Sequence, residues 1–141
     1  DHTDRFIGIS RVIASDFPDL ELMLPVEGRD EDATNQALTT KLLTEVPDLV
    51  GIYNIGAGTS GIAAALSEAG KAGKVVFVGH DLTQYTRRFL LTGIMDAVIS
   101  QNPGREARSA LRILQALARK EPISAAQEVI GIDIVIRENL P

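Results

Sequence analysis

Apolar residues recur along the chain with two different periods, and stretches of one period alternate with stretches of the other. Spacings of three and four positions predict amphipathic helices. The predicted helices are Thr3–Ala14, Asp30–Glu45, Gly56–Ala69, Thr83–Leu91 and Pro103–Arg119. Short apolar runs between them predict buried strands. The predicted strands are Leu20–Leu24, Leu49–Ile55, Lys74–Gly79, Ala97–Ile99 and Val129–Ile136. This alternation predicts an α/β fold, a parallel sheet with helices on both faces.

Composition narrows the class of protein. The chain has 141 residues, 45% of them hydrophobic and 23% charged, which suits one globular domain. Its net charge of −5 argues against contact with a nucleic-acid backbone, which needs clustered Lys and Arg. The absence of Cys excludes disulfides, thiolate zinc sites and cysteine nucleophiles. No apolar run is long enough to span a bilayer, so we expect no membrane partner.

Polar residues follow four of the predicted strands. In an open parallel sheet, ligands bind beyond the carboxyl ends of the strands. The segments at those ends are Glu27–Asp30, Asn54–Gly58, His80–Asp81 and Gln101–Pro103. Each contains a side chain that can bind a ligand hydroxyl. Surface loops are also polar in proteins that bind nothing there, so both interpretations stay open at this point.

The segment Gly56–Gly61 reads G-x-G-x-x-G between a strand and a helix, and Asp81 follows at the end of the next strand. This is the layout of a dinucleotide-binding site, in which the glycines admit a pyrophosphate and the acid binds a ribose. Against it, a whole β-α unit precedes the motif, Asn54 interrupts the apolar strand, and the chain lacks room for a catalytic domain. The alternative is that the glycines let a helix pack tightly on the sheet or on a second subunit.

Candidate catalytic groups are few. His2 lies near the terminus, and His80 is adjacent to Asp81, which ordinarily points the two side chains apart. No nucleophile elbow, P-loop or zinc-protease motif occurs. Asp30–Asp32 suits an exposed helix start better than a metal site. We therefore expect a protein that is not an enzyme and uses no cofactor or metal.

Five segments together resemble the C-terminal part of the effector-binding domain of LacI/GalR-family transcriptional regulators. The resemblance covers nearly the whole chain. The matching segments are Asp4–Gly8, Tyr53–Gly61, Val78–Asp81, Ile99–Pro103 and Asp133–Pro141. It implies a Rossmann-like lobe of the periplasmic-binding-protein type I kind.

The resemblance also implies a ligand site. The ligand-binding residues of that family match Arg5, Asn54, Asp81 and Gln101 in this sequence. These four residues would bind the hydroxyl groups of a sugar-class effector. Two positions depart from the family pattern. Gly56 stands where many members have an acid, and no aromatic residue occurs near Arg29–Asp30. Both departures leave the identity of the sugar open.

The domain organisation follows from the same resemblance. Residues 1–141 form one effector-binding lobe, and the helix at 103–119 would pack in an N-terminal lobe that this sequence does not contain. DNA would be bound only through a helix-turn-helix preceding that lobe. Homodimerisation is expected through Ile62, Ala63 and Leu66, although these residues suit an ordinary sheet-facing core nearly as well.

These implications lead to one function and two alternatives. The predicted function is the ligand-sensing domain of a cytoplasmic LacI-type regulator, in which a sugar or related small polar effector modulates DNA binding. The first alternative is a periplasmic sugar-binding protein of a transporter. The second, based on Gly56–Gly61, is an NAD-binding oxidoreductase domain.

Overall fold

A computed structural model describes residues 2–123 and 131–141 of the chain. In this part of the chain, helices and strands alternate as the periodicity predicts. In order they are α1 His2–Asp16, α2 Asp32–Glu45, β1 Gly51–Tyr53, α3 Thr59–Glu68, β2 Val76–His80, α4 Gln84–Thr92, β3 Ala97–Gln101, α5 Pro103–Arg119 and β4 Ile132–Val135. A short 3₁₀ turn, Arg137–Asn139, follows β4. The α/β class and all five predicted helices are confirmed.

One predicted strand is wrong. Leu20–Leu24 forms no strand, and the side chain of Leu24 is 89% exposed. Apolar residues alone do not make a strand, because its backbone N–H and C=O groups need a neighbouring strand. Among the described residues this segment has no such neighbour. Of the predicted strand Val129–Ile136, residues 129 and 130 lie outside the described residues, and β4 forms the part that follows.

The sheet has the order β1-β2-β3-β4. β1 pairs with β2 and β2 with β3 in parallel, as predicted, whereas β4 runs antiparallel to β3. Gln101 at the end of β3 pairs with Ile132 at the start of β4, so the chain returns to the edge that it left. A parallel β4 would have needed a crossover connection that carries the chain back to the opposite end of the strands. The sheet is therefore mixed.

The core lies between one face of this sheet and helices α3 and α4. Phe77, Val98, Leu66 and Leu90 are almost completely buried there, and α2 packs on α3 from outside. The other face contains Val76, Ile132 and Ile134, each more than half exposed. No helix in the described part of the chain has the length and apolar character to cross a bilayer.

Helix α5 has an apolar face that the rest of the described chain leaves uncovered. Leu111, Leu114 and Leu117 are 66%, 62% and 60% exposed. Asn102 caps the helix by accepting a hydrogen bond from the Arg105 amide, and Pro103 occupies the first turn. Local interactions thus stabilise the N-terminus of the helix, but its leucines do not pack against the sheet. That α5 belongs with a further lobe stays a prediction.

We expect the double variant Leu111→Gln/Leu114→Gln to change the free energy of unfolding of this chain by less than about 0.5 kcal/mol, as for exposed positions generally. We also expect the exposed apolar face of α5 to promote association of this isolated lobe, so the same variant should sediment with a lower average mass than the parent.

Leu66→Ala is the matched control, since Leu66 is fully buried, and it should lower the free energy of unfolding by about 2–5 kcal/mol. A similar loss in the Leu111/Leu114 variant would show that α5 packs against its own lobe in solution.

Candidate functional site

The carboxyl ends of β1, β2 and β3 lie at one edge of the sheet, because these three strands are parallel. Asn54 follows β1, Asp81 follows β2, and Gln101 is the last residue of β3. Arg5 of α1 reaches the same edge, where its Nη1 atom donates a hydrogen bond of 2.7 Å to the carbonyl oxygen of Ile55. The structure therefore brings all four predicted site residues to one edge; that they bind a ligand stays a prediction.

Asn54 uses its amide group to hold the loop after β1. Its Nδ2 atom lies 3.1 Å from the carbonyl oxygens of Gly56 and Ala57 and 3.1 Å from Oγ1 of Thr59. Donors already engaged with the protein are poorly suited to bind a ligand as well. Asn54 therefore shapes the edge, whereas Asp81 and Gln101 are exposed there.

The glycine motif serves internal packing. A side chain at Gly58 would collide with Asn35, and one at Gly61 with the backbone oxygen of Asp32. The loop amides are also occupied: the amide of Ala57 donates to Asp30 Oδ1 at 2.8 Å and that of Gly61 to Asp32 Oδ1 at 3.2 Å. A pyrophosphate would need those amides and would meet two carboxylates. This geometry opposes the dinucleotide interpretation.

The residues predicted for a dimer interface lie inside the lobe. Ile62, Ala63 and Leu66 are at most 4% exposed and belong to the core between α3 and the sheet. A second subunit cannot reach side chains that their own sheet covers. Their assignment to the interface is therefore wrong, and the alternative of a sheet-facing core is confirmed.

Asp81 has a backbone conformation that few side chains adopt. Its φ is +66°, in the left-handed region. Its amide donates to the carbonyl of Ile99 at 3.0 Å, and its carbonyl accepts from Thr86 Oγ1 at 2.8 Å. Thr86 also forms the capping box of α4 with Thr83. Strained backbone retained by surrounding hydrogen bonds is a feature of ligand-binding positions.

Sequence reasoning missed a contact between Tyr53 and His80. Tyr53 Oη lies 2.8 Å from His80 Nε2, and the ring centroids are 5.6 Å apart. Adjacent residues of a strand ordinarily point apart, so the neighbour Asp81 does not predict a partner for His80, and the partner lies 27 residues away. The sequence does contain one indication of this contact. Tyr53 and His80 are the last residues of the neighbouring strands β1 and β2.

Burial and charge shift both groups in this pair. Burial lowers the pKa of His80 below 6.5; the Arg5 guanidinium and His2 lower it further, and Asp81 opposes them. Burial raises the pKa of Tyr53 above 10.0, and Arg5 opposes this. His80 is therefore neutral and Tyr53 protonated at neutral pH. Among the described residues, no group of three or more His, Asp or Glu side chains could hold a metal ion.

The left-handed backbone at Asp81 predicts an unusual order of stabilities. Asp81→Gly should be more stable than Asp81→Ala by about 1–2 kcal/mol, because an alanine side chain is strained in this region. Arg88, which is exposed in the middle of α4, provides the control. There the alanine variant should be more stable than the glycine variant by about 1 kcal/mol. Urea denaturation measures both differences. The same order at both positions would show that Asp81 does not keep this conformation in solution.

The depressed pKa of His80 predicts loss of stability in acid. The unfolded chain takes up a proton near pH 6.5, whereas the folded chain takes it up only at lower pH. The contribution of His80 to the free energy of unfolding is therefore complete above pH 6.5. It is lost as the pH falls toward the pKa of His80 in the folded chain. Urea denaturation between pH 7.5 and 5.5 should show a smaller loss in His80→Gln than in the parent. Equal losses would be evidence against the depressed pKa.

Comparisons with known proteins identify the fold family. The D-allose-binding periplasmic protein of Escherichia coli (strain K12) is 28% identical over 103 residues, covering 70% of this chain and 33% of that protein. An ABC transporter solute-binding protein from Agrobacterium vitis with bound D-fucose has a TM-score of 0.85 and 28% identity. A periplasmic solute-binding protein from Actinobacillus succinogenes 130z with bound D-allose has a TM-score of 0.81 and 25% identity.

The two structures match 96% and 93% of this chain but only 46% of their own chains, so this chain spans about half their length. All three proteins are described as binding proteins rather than transcription regulators. The model of the periplasmic binding protein domain matches residues 1–122. The chain belongs to the periplasmic binding protein domain family.

Proposed function

We propose that this chain is one lobe of a two-lobe sugar-binding protein, and that the edge formed by the carboxyl ends of β1, β2 and β3 is its half of the ligand site. The observation that supports this most is the convergence of Arg5, Asp81 and Gln101 at that edge. The hydrogen bonds that maintain the strained backbone of Asp81 add to it.

These three side chains have complementary roles toward a polyhydroxylated ligand. The Asp81 carboxylate accepts hydrogen bonds from hydroxyl groups, the Arg5 guanidinium donates to hydroxyl oxygens, and the Gln101 amide does both. Together these groups offer both donors and acceptors, which suits a neutral ligand rich in hydroxyl groups. Relatives that bind D-allose and D-fucose make hexoses the first candidates.

The proposed biological role is in transport. The relatives described above are periplasmic or transporter-linked binding proteins, which favours the transporter alternative over a LacI-type regulator. Under this proposal the protein works outside the cytoplasm, is not an enzyme and needs no cofactor. Of the five segments that resemble LacI/GalR regulators, the closing segment Asp133–Pro141 lies beyond the matched residues 1–122.

Ligand binding can be measured by titrating the ¹⁵N-labelled chain with D-allose and D-fucose. Millimolar sugar should shift the amide resonances of Asp81 and Gln101 and leave those of α2 unchanged. Asp81→Gly removes the carboxylate but accepts the left-handed backbone, so its effect on binding does not reflect misfolding. It should weaken binding by about 1.5–3 kcal/mol, as should Arg5→Ala, since both remove charge-assisted hydrogen bonds.

Two controls accompany this titration. Exposed Lys41 on α2 lies away from the edge, and Lys41→Ala should bind sugar like the parent. NAD should cause no shift at Gly56–Gly61. The proposal would be abandoned if neither hexose perturbed the edge, or if both site variants kept the parental affinity.

Transport and regulation can be separated in the organism that makes the protein. The transport proposal expects the protein in the extracytoplasmic fraction and expects a deletion strain to lose high-affinity uptake of the sugar. Recovery in the cytoplasm, with sugar-dependent binding to DNA, would instead support the regulator interpretation.

A further inference from the structure

The pair Tyr53–His80 lies at the proposed sugar site without a role in what has been described so far. Both residues end their strands at the ligand-side edge, and Arg5 and His2 of α1 are close enough to affect the titration of His80. Tyr53 is only partly buried, whereas His80 is 7% exposed. The tyrosine therefore retains contact with solvent at the edge, and the histidine lies behind it.

The unusual feature of His80 is its second ring nitrogen. Nδ1 is buried, and no hydrogen-bond partner for it occurs among the described residues. A buried N–H without an acceptor is rarer in proteins than an acceptor without a donor. The favoured neutral tautomer therefore has its proton on Nε2 and leaves only a lone pair at Nδ1.

This tautomer sets the direction of the hydrogen bond to Tyr53. Nε2–H donates to the phenolic oxygen across the 2.8 Å contact. The phenolic proton is then not used by His80 and is available to an acceptor on the solvent side. Because burial keeps Tyr53 protonated, it can act there as a donor at all physiological pH values.

We propose that Tyr53 is a specificity-determining residue whose hydroxyl donates to an oxygen of the bound sugar, and that His80 is the positioning residue that fixes this donor direction. The inference rests on the sugar-binding function proposed above and adds a donor to the three side chains already assigned. It also supplies an aromatic ring at an edge whose segment Arg29–Asp30 has none.

The same arrangement makes sugar binding dependent on pH. The charged groups that affect His80 are Arg5 and His2 on α1 and Asp81 next to it in the chain; Tyr53 is its hydrogen-bond partner on β1. Protonation adds a buried positive charge beside Arg5, a residue of the sugar site. The two cations repel each other, which opposes the hydrogen bonding of Arg5 at the edge, so we expect sugar affinity to fall as His80 becomes protonated.

The experiment measures dissociation constants for D-allose and D-fucose on the full chain by NMR titration at pH 7.5 and 5.5. Tyr53→Phe keeps the ring and removes the hydroxyl, and it should weaken binding about 3- to 10-fold. Tyr85→Phe is the matched control: Tyr85 is 57% exposed on α4, and its variant should bind like the parent.

His80 is tested by two variants. His80→Gln retains a donor toward Tyr53 but does not titrate, so it should lose less affinity than the parent between pH 7.5 and pH 5.5 and bind more tightly than His80→Leu at pH 7.5. Since His2 is present in both proteins, the difference between the two pH profiles belongs to His80. His80→Leu removes the donor and should weaken binding at both pH values; its fold is checked by circular dichroism.

Each outcome has a distinct meaning. If the parent binds a hexose, but Tyr53→Phe binds equally well, the inference is overturned and the proposed function stands. Identical pH profiles for the parent and His80→Gln overturn the positioning role of His80 in the same way, even if His80→Leu does not fold. If the parent binds neither sugar, the proposed function fails, and the inference fails with it.

Discussion

Parallel pairing of β1, β2 and β3 over a buried apolar layer is the constraint on which the rest of the structure depends. Phe77 and Val98 on neighbouring strands are completely buried against α3 and α4. Burying these side chains fixes which face of each strand points inward, because a shift by one residue would expose them. The parallel direction then places every strand-to-helix connection on one edge, so Asn54, Asp81 and Gln101 meet although they are far apart in sequence.

Carboxylates at the first residue of α2 and just before it hold the loop after β1. Asp30 and Asp32 accept the loop amides near α3, and Asn35 fills the space left by Gly58. A glycine pattern that suits a pyrophosphate in other proteins here allows two helices to approach each other. The loop is thereby held without a ligand, and the groups left open to solvent at the edge, Asp81 and Gln101, are those suited to hydroxyl groups.

Much apolar surface of the described chain stays exposed, on α5 and on one face of the sheet. Such patches in a soluble protein usually mark a contact surface. The structurally similar binding proteins are about twice as long as this chain, which suits a lobe that is covered by further protein in the intact molecule. The unpaired segment Leu20–Leu24 has the same character, since its apolar sequence would fit a sheet that offered it a neighbour.

The sequence alone determined the helices and most strands, and it indicated which residues follow the strands. Helix and strand periods depend on local burial, so α1 to α5 were predicted closely. The rule that ligands bind beyond parallel strands led to the segments that contain Asn54, Asp81 and Gln101, and the family resemblance added Arg5. Tertiary structure decided what depends on partners distant in sequence. The antiparallel direction of β4, the absence of a strand at Leu20–Leu24 and the burial of Ile62, Ala63 and Leu66 depend on which surfaces meet. The pairing of Tyr53 with His80 depends on strand register, because only the register brings residues 27 positions apart within hydrogen-bonding distance.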